Sequence, residues 1–305
     1  MRYRGTATTA LMCVLLAMVL TALTACSGSS GDSAARTTAD RRTGHDNRGP
    51  RYYLSLGDSL AQGVQPDGSG RSQPTTRGYA DRLYGVLQHS YPGLQLVKLG
   101  CSGETSFTMI HGGTCSYPAG SQLAQAMRFL RAHRSRTALV TIDIGANDPN
   151  SCFLGAAIAK LLSCMRSRVK LTVADLRTIL SRLRAAGGRH VRIIGMNYYV
   201  PELAGWLHGI TGKEIAVLIE RLVHGYNSLL AHVYRRYHVR VANVFAAVHS
   251  ADFSDKVTVP GLGTIPRTVA TVCQLTWSCS RTPNEHANDT GYAIMAVAFL
   301  VADER

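Results

Sequence analysis

Tyr52-Tyr53-Leu54-Ser55-Leu56-Gly57-Asp58-Ser59-Leu60 sets a short aromatic and apolar run against a small acidic turn that presents a hydroxyl. The run has the length and composition of a buried strand. The turn places Ser59 where that strand would end, which is where open α/β sheets collect their chemistry. A serine hydroxyl becomes a nucleophile only when a base removes its proton and donors receive the charge on the attacked carbonyl oxygen. Those partners have to come from the rest of the chain.

Four further β-branched or apolar runs, at 94–99, 137–144, 190–196 and 239–244, alternate with helical patterns at 78–90, 120–133, 171–186 and 213–237. The last of these carries Ile215, Leu218, Ile219, Leu222 and Leu229 at the three- and four-residue spacing of one helix face. Gly187-Gly188 suits a C-terminal stop for the third helix, and an apolar segment at 291–301 reads as a closing helix. Alternation of this kind predicts a five-stranded parallel sheet covered on both faces, a three-layer α/β/α sandwich of the flavodoxin-like kind. Strands one to three are neighbours in the common doubly wound orders, so three strand ends should share one edge. They are Gly57-Asp58-Ser59, Gly100-Cys101-Ser102-Gly103-Glu104 and Gly145-Ala146-Asn147-Asp148.

Acyl transfer needs two or three donors aimed at the developing oxyanion, and the Ser59 and Gly103 backbone amides with the Asn147 side-chain amide are suitable. Taken singly, Gly103 is a turn glycine and Asn147 a turn asparagine. Of eleven histidines, His89, His133 and His238 fall near helix ends, where an imidazole can serve terminal carbonyls. His286 instead lies in Pro283-Asn284-Glu285-His286-Ala287-Asn288-Asp289, a loop leading into the closing helix. It is the candidate base.

In this order and over residues 52 to 292, the four blocks make the chain resemble the GDSL, or SGNH, hydrolases, in the style of secreted actinomycete esterases and lipases. The resemblance implies the SGNH hydrolase fold. It also implies a serine esterase or lipase that hydrolyses acyl esters with Ser59 as nucleophile, His286 as base and Gly103 and Asn147 in the oxyanion hole, without a cofactor. The family's usual aspartate three residues before the histidine is Pro283 here. By similarity to relatives that orient the imidazole with a backbone oxygen, the Pro283 carbonyl, or a neighbour's, is expected to do so. Glu285 should point elsewhere, and Asp289 suits a helix start. An α/β-hydrolase elbow does not fit, because Ala61 stands where its second glycine belongs.

The chain has 305 residues, 46% hydrophobic and 17% charged, an ordinary globular composition. Arg2 and Arg4 precede an uncharged apolar stretch at 10–23, a secretory signal ending in Leu23-Thr24-Ala25-Cys26. That ending resembles the lipobox of bacterial lipoproteins, so residues 1–25 would leave as a signal peptide and Cys26 would carry the lipid. Simple secretion with Cys26 incidental is the alternative. Residues 26–50 read as a disordered tether reaching about 27 Å, and 51–305 as the hydrolase domain. The exported domain, a monomer, would work at the outer face of the cell membrane. Without Arg2 and Arg4 there are 31 basic residues against 19 acidic, a net charge of +12. Such a charge favours anionic lipid or wall polymer over nucleic acid, since the basic residues are scattered. A solvated arginine-rich face with no partner explains it equally well.

Six cysteines remain, in three close pairs: Cys101 with Cys115, Cys152 with Cys164 and Cys273 with Cys279. An exported chain with an even count points to three disulfides. No metal-ligand spacing accompanies them. The long segment at 250–282, with Tyr198, Tyr199, Trp206 and Trp277, is expected to build an apolar acyl pocket, although all four aromatics also suit a core. The rival to an esterase is a catalytically idle surface lipoprotein that binds a ligand or wall polymer.

Overall fold

The aromatic and leucine side chains of Tyr52–Gly57 explain the first strand of the sheet: Tyr53, Leu54, Ser55, Leu56 and Gly57 are all buried behind the half-buried Tyr52. A strand buried on both faces belongs inside a parallel sheet, where helices cover it above and below. The computed structural model describes residue 49, residues 51–153 and residues 158–304. The stretch expected to be an export signal, the lipid candidate Cys26 and, apart from Gly49, the stretch expected to be a tether lie outside the described residues.

The sheet consists of β1 (Tyr52–Gly57), β2 (Gln95–Lys98), β3 (Thr137–Asp143), β4 (Arg192–Met196) and β5 (Arg240–Ala242). Its order is β2-β1-β3-β4-β5, and every pair is parallel. The helices in chain order are α1 (Ser59–Gln62), α2 (Tyr79–Ser90), α3 (Ser106–His111), α4 (Gln122–His133), α5 (Ile158–Gly187), α6 (Gly209–Arg236), α7 (Val244–Ala247), α8 (Arg267–Leu275) and α9 (Asp289–Glu304). α2 packs with α9, while α4 packs with α5 and α5 with α6, as a doubly wound three-layer sandwich requires. The expected fold class and the five strands are therefore those observed.

Local chemistry explains the helix starts. The Ser121 hydroxyl accepts from Ala124 N at 3.1 Å to cap α4. Thr105 caps α3 by accepting from Thr108 N at 3.1 Å, while the Thr108 hydroxyl accepts from Thr105 N at 2.9 Å.

The long helices depart from expectation. α5 begins at Ile158 rather than near 171 and runs 30 residues, and α6 runs 28. At about 1.5 Å per residue each exceeds 40 Å. The strands they follow are far shorter, so both helices overhang the sheet. On α6 the expected core stripe is also displaced, since Ile215, Leu218, Leu222 and Leu229 are exposed. The face turned inward carries Ala216, Asn227, Leu230, Val233 and Tyr234 instead. α6 has apolar residues over more than half its circumference, and periodicity alone does not say which part of a wide arc meets the sheet.

The segment at 250–282 is likewise not a bare loop. Lys256–Val259 pairs antiparallel with Gly263–Pro266, and α8 follows. Gly261 and Gly263, with φ of 79° and 74°, supply the left-handed turn between the two strands. Ile265, Val269 and Ala270 form a small core there, with Trp206 packed against it.

Three disulfides are present, Cys101–Cys115, Cys152–Cys164 and Cys273–Cys279. The first closes the loop after β2, with the cysteines 14 positions apart. A 15-residue closed loop limits the unfolded chain by about 3 kcal/mol. The double variant Cys101→Ala/Cys115→Ala should therefore lose about that much unfolding free energy, measured as a lower urea midpoint beside an otherwise intact far-UV spectrum.

Candidate active site

The turn after β1 is set by how closely β1 and β3 approach at their carboxyl ends. Gly57 stands opposite Asp143, with a φ of 137° that only glycine adopts readily. A Cβ there would lie 2.1 Å from the Asp143 carbonyl oxygen. Past that point Asp58 N donates to the Asp143 carbonyl at 3.1 Å. The Asp58 carboxylate turns back to accept from Leu60 N at 2.9 Å, which caps α1. Ser59 thus becomes the first residue of a helical turn, half-buried, with a backbone N–H that has no partner inside the helix.

Gln122 ties this turn to the next strand end. Gly57 N donates to Gln122 Oε1 at 2.7 Å, while Gln122 Nε2 donates to the Gly57 carbonyl at 2.9 Å and to Glu104 Oε2 at 3.0 Å. Both peptide groups of Gly57 are held by one buried side chain, and that side chain also holds the loop of Gly103. Gly103 is exposed with a φ of 79°, and its N–H donates to no other group among the described residues. A Cβ at Gly103 would meet only Thr114 at 3.9 Å, so glycine is needed for backbone conformation and not for space.

The third strand end is bound to the second in turn. Asn147 Nδ2 donates to the Glu104 carbonyl at 3.0 Å. Asp148 accepts from Ser106 N at 3.0 Å, from the Ser106 hydroxyl and from Thr172 at 2.8 Å, pinning the Asn147 loop between α3 and α5. The structure therefore brings Ser59, Gly103 and Asn147 to one edge, through residues that the pattern of the sequence does not single out. Gln122 is such a residue, and Asp148, singled out only as part of the Asn147 block, is another whose bonds the pattern does not indicate.

His286 reaches that edge from the far end of the chain. Its loop lies along the end of α8: Trp277 N donates to the His286 carbonyl at 3.0 Å, Asn284 N to the Trp277 carbonyl at 3.2 Å and Asn288 N to the Leu275 carbonyl at 3.0 Å. Tyr199, just past β4, donates to the Glu285 carbonyl at 2.7 Å. A second set of bonds ties the loop to the segment that follows Ser59. Val64 N donates to the Ser59 carbonyl at 3.0 Å, and the Val64 carbonyl accepts from Tyr292 at 2.8 Å. Gln65 Nε2 donates to Asp289 at 2.8 Å, and Trp277 Nε1 to Gln65 Oε1 at 3.3 Å.

His286 is 5% exposed. Its Nδ1 lies 2.7 Å from Asn284 Oδ1, and the same oxygen accepts from His286 N at 3.0 Å. The expected partner was the Pro283 carbonyl or a neighbour's. The structure puts the neighbouring side chain there instead, and Pro283 is exposed. The Asn284 carbonyl is taken by the Ser278 hydroxyl at 3.3 Å, whereas the short Asn284 side chain closes a turn onto its own backbone two residues on. Glu285 is 71% exposed with Oε1 3.8 Å from Nδ1, a longer contact than Asn284 makes. Burial lowers the His286 pKa, and the Glu285 carboxylate opposes that shift.

The aromatics expected around an acyl pocket have structural duties. Tyr198 and Tyr199 are buried in the main core, Trp206 packs on Phe253 with ring centroids 5.5 Å apart, and Trp277 bonds Gln65. Among the other histidines, His89 Nδ1 lies 3.1 Å from the Gly85 carbonyl at the end of α2, as a helix-end histidine should. Among the described residues no group of three or more His, Cys, Asp or Glu is placed to hold a metal.

Behind the turn lies a buried carboxyl pair. Asp58 and Asp143 are both fully buried, and burial pushes both pKa values up, that of Asp143 further because Asp58 adds to it. Tyr79 donates its hydroxyl to Asp143 Oδ1. Carboxyls whose folded pKa is raised bind protons that the unfolded chain has released. Their contribution to stability is complete below the unfolded value near pH 4 and is lost as pH rises through the folded values. Asp143→Asn keeps an acceptor for Tyr79 without a titrating group. Its urea midpoint should fall less between pH 4 and pH 8 than that of the wild type.

A model of the GDSL-like lipase/acylhydrolase family matches residues 55–294. No curated protein sequence matches the chain. Among solved structures, an extracellular lipase from Streptomyces rimosus superposes with a TM-score of 0.54 at 16% identity, over 83% of this chain and 99% of that one. An acetylxylan esterase from Geobacillus stearothermophilus gives 0.47 at 18%, over 83% and 93%. At such identities the likeness to the lipase is one of fold. The family match runs from within β1 to within α9 and takes in all four blocks, and the chain therefore belongs to the GDSL-like lipase/acylhydrolase family of ester-hydrolysing enzymes.

Proposed function

We propose that the chain hydrolyses carboxylic acyl esters through an acyl-enzyme on Ser59, with His286 as general base and then general acid. One observation carries this reading above the others: His286 Nδ1 faces an oxygen that also accepts from the His286 backbone N–H. That oxygen is an acceptor, so the proton of the neutral imidazole sits on Nδ1 and the lone pair on Nε2. A base needs that tautomer.

In the first half-reaction Nε2 takes the Ser59 proton while Oγ bonds to the acyl carbon. The carbonyl electron pair moves onto the oxygen, where the Ser59 and Gly103 N–H groups and the Asn147 amide receive it. The ester C–O bond then breaks as His286 returns the proton to the departing alcohol. Water repeats the sequence against the acyl-enzyme, releasing the acid and restoring Ser59. Burial lowers the His286 pKa, which favours the unprotonated imidazole that the base requires.

The setting completes the proposal. The chain is exported, anchored through lipid on Cys26, and works as a monomer beside anionic lipid or wall polymer at the outer face of the cell membrane.

Ser59→Ala should abolish turnover of p-nitrophenyl esters, with a loss of 10³-fold or more in kcat, of the order seen when a catalytic nucleophile is removed. Turnover equal to wild type would end the proposal. Asn147→Ala should cost about 10²- to 10³-fold in kcat with little change in KM, since an oxyanion donor acts in the transition state. The profile from acetate to palmitate reports the acyl length.

A further inference from the structure

Asn284 makes more directed hydrogen bonds than a loop residue needs. Its Oδ1 accepts from His286 N at 3.0 Å and faces Nδ1 at 2.7 Å, while its Nδ2 donates to the Ser72 hydroxyl at 2.9 Å. The two ends of the amide are therefore distinguishable. A backbone N–H only donates, so the atom in front of His286 N is oxygen and the nitrogen faces Ser72. Main-chain bonds hold the residue as well, with Asn284 N on the Trp277 carbonyl at 3.2 Å and the Asn284 carbonyl accepting from Ser278 at 3.3 Å. The disulfide Cys273–Cys279 closes the segment those partners belong to.

We propose that Asn284 is the positioning residue of the catalytic imidazole, a neutral carboxamide oxygen in the place where serine hydrolases commonly hold a carboxylate. The proposal rests on the assignment of Ser59 and His286 above. An asparagine in that place is normally damaging, because a free amide can offer its NH₂ and select the wrong tautomer, at a cost of about 10⁴-fold in kcat. Here the His286 backbone N–H, which can only donate, fixes the amide the right way round, and the Ser72 hydroxyl accepts from its other end. The penalty is removed by orientation, and what remains is the missing charge.

A neutral acceptor stabilises the imidazolium less than a carboxylate would. The charged group that faces His286 is Glu285 on its own loop, with Oε1 3.8 Å from Nδ1. From the packed elements, Tyr199 past β4 binds the Glu285 carbonyl at 2.7 Å, and Asp289 at the start of α9 is paired with Arg77 at 3.4 Å and Arg82 at 3.6 Å. Of these the exposed Glu285 is the one that competes for Nδ1. It is also the one the experiment must separate from Asn284.

The test uses Asn284→Ala, Asn284→Asp, Glu285→Gln and Ser59→Ala in the full domain. kcat and KM for p-nitrophenyl acetate are measured from pH 4.5 to 9. The His286 midpoint is read by NMR of labelled histidine, assigned against His286→Gln. Asn284→Ala should lower kcat by about 10- to 10³-fold with a smaller change in KM. Asn284→Asp keeps the turn acceptor, so it should keep plateau kcat within about tenfold. It should move both the acid limb and the NMR midpoint upward by about 1 pH unit or more, as an adjacent carboxylate does. Glu285→Gln should stay within about threefold of wild type.

An Asn284→Ala rate within about threefold of wild type, an unmoved midpoint in Asn284→Asp, or a Glu285→Gln loss equal to that of Asn284→Ala would each overturn the proposal. A loop role alone would lower thermal stability in both Asn284 variants and leave the midpoint where it is, which also overturns it. Retained turnover in Ser59→Ala would instead remove the nucleophile assignment, while the NMR midpoint would still decide whether Asn284 holds the imidazole.

Discussion

The contact between Gly57 and Asp143 at the carboxyl edge of the sheet is the constraint on which the site depends. The backbones meet so closely that no side chain fits at Gly57, and the Asp143 carbonyl takes the N–H of Asp58. The chain has to turn there, and the carboxylate of Asp58 converts the turn into a helix start by capping Leu60. Ser59 is presented as a consequence of a strand pairing, and not by an autonomous loop. Because the pairing is buried, its geometry cannot relax without unfolding the edge of the sheet.

The same edge is secured by polar side chains that bridge between strand ends. Gln122 spans the Gly57 peptide and Glu104, Asn147 reaches the Glu104 carbonyl, and Asp148 gathers Ser106 and Thr172. Each bond is ordinary in strength, but in a buried setting each group left without a partner would cost more than the bond itself contributes. The arrangement therefore holds as a set. Three loops that are separate in sequence are joined by side-chain hydrogen bonds into one rim, as a site that places donors about 3 Å from a developing charge requires.

The fourth block is attached differently. His286 does not follow a strand of the sheet. Its loop is held on one side by the end of α8 and on the other by Val64 and Gln65, the residues just beyond α1. Placement of the histidine relative to Ser59 thus runs through short hydrogen-bonded steps and not through the sheet. Asn284 is the last of those steps and reaches both His286 and Ser72, so one side chain links the histidine loop to the segment that follows Ser59.

The fold was legible in the sequence because it is carried by local signals, the period-two and period-3.6 apolar patterns and the glycines where the backbone must turn, whereas the four blocks were legible as a set only through their resemblance to the family. The resemblance named Ser59, Gly103, Asn147 and His286 as candidates, and the three cysteine pairs were close enough in the chain to pair by spacing. The outward stripe of Ile215, Leu218, Leu222 and Leu229 was not legible, because a helix with a wide apolar arc does not declare which part of it the sheet will cover. Nor was the partner of His286: Asn284 lies next to the residue expected to serve, and only the direction of its side chain separates the two. The sequence determines which residues are available and which elements they stand on, since both follow from interactions within a few positions along the chain. Tertiary structure alone decides which polar atoms face each other, as in the oxygen of Asn284 turned to His286 and the amide of Gln122 turned to Gly57, because those choices are made by neighbours remote in sequence that leave a buried group one way to be satisfied.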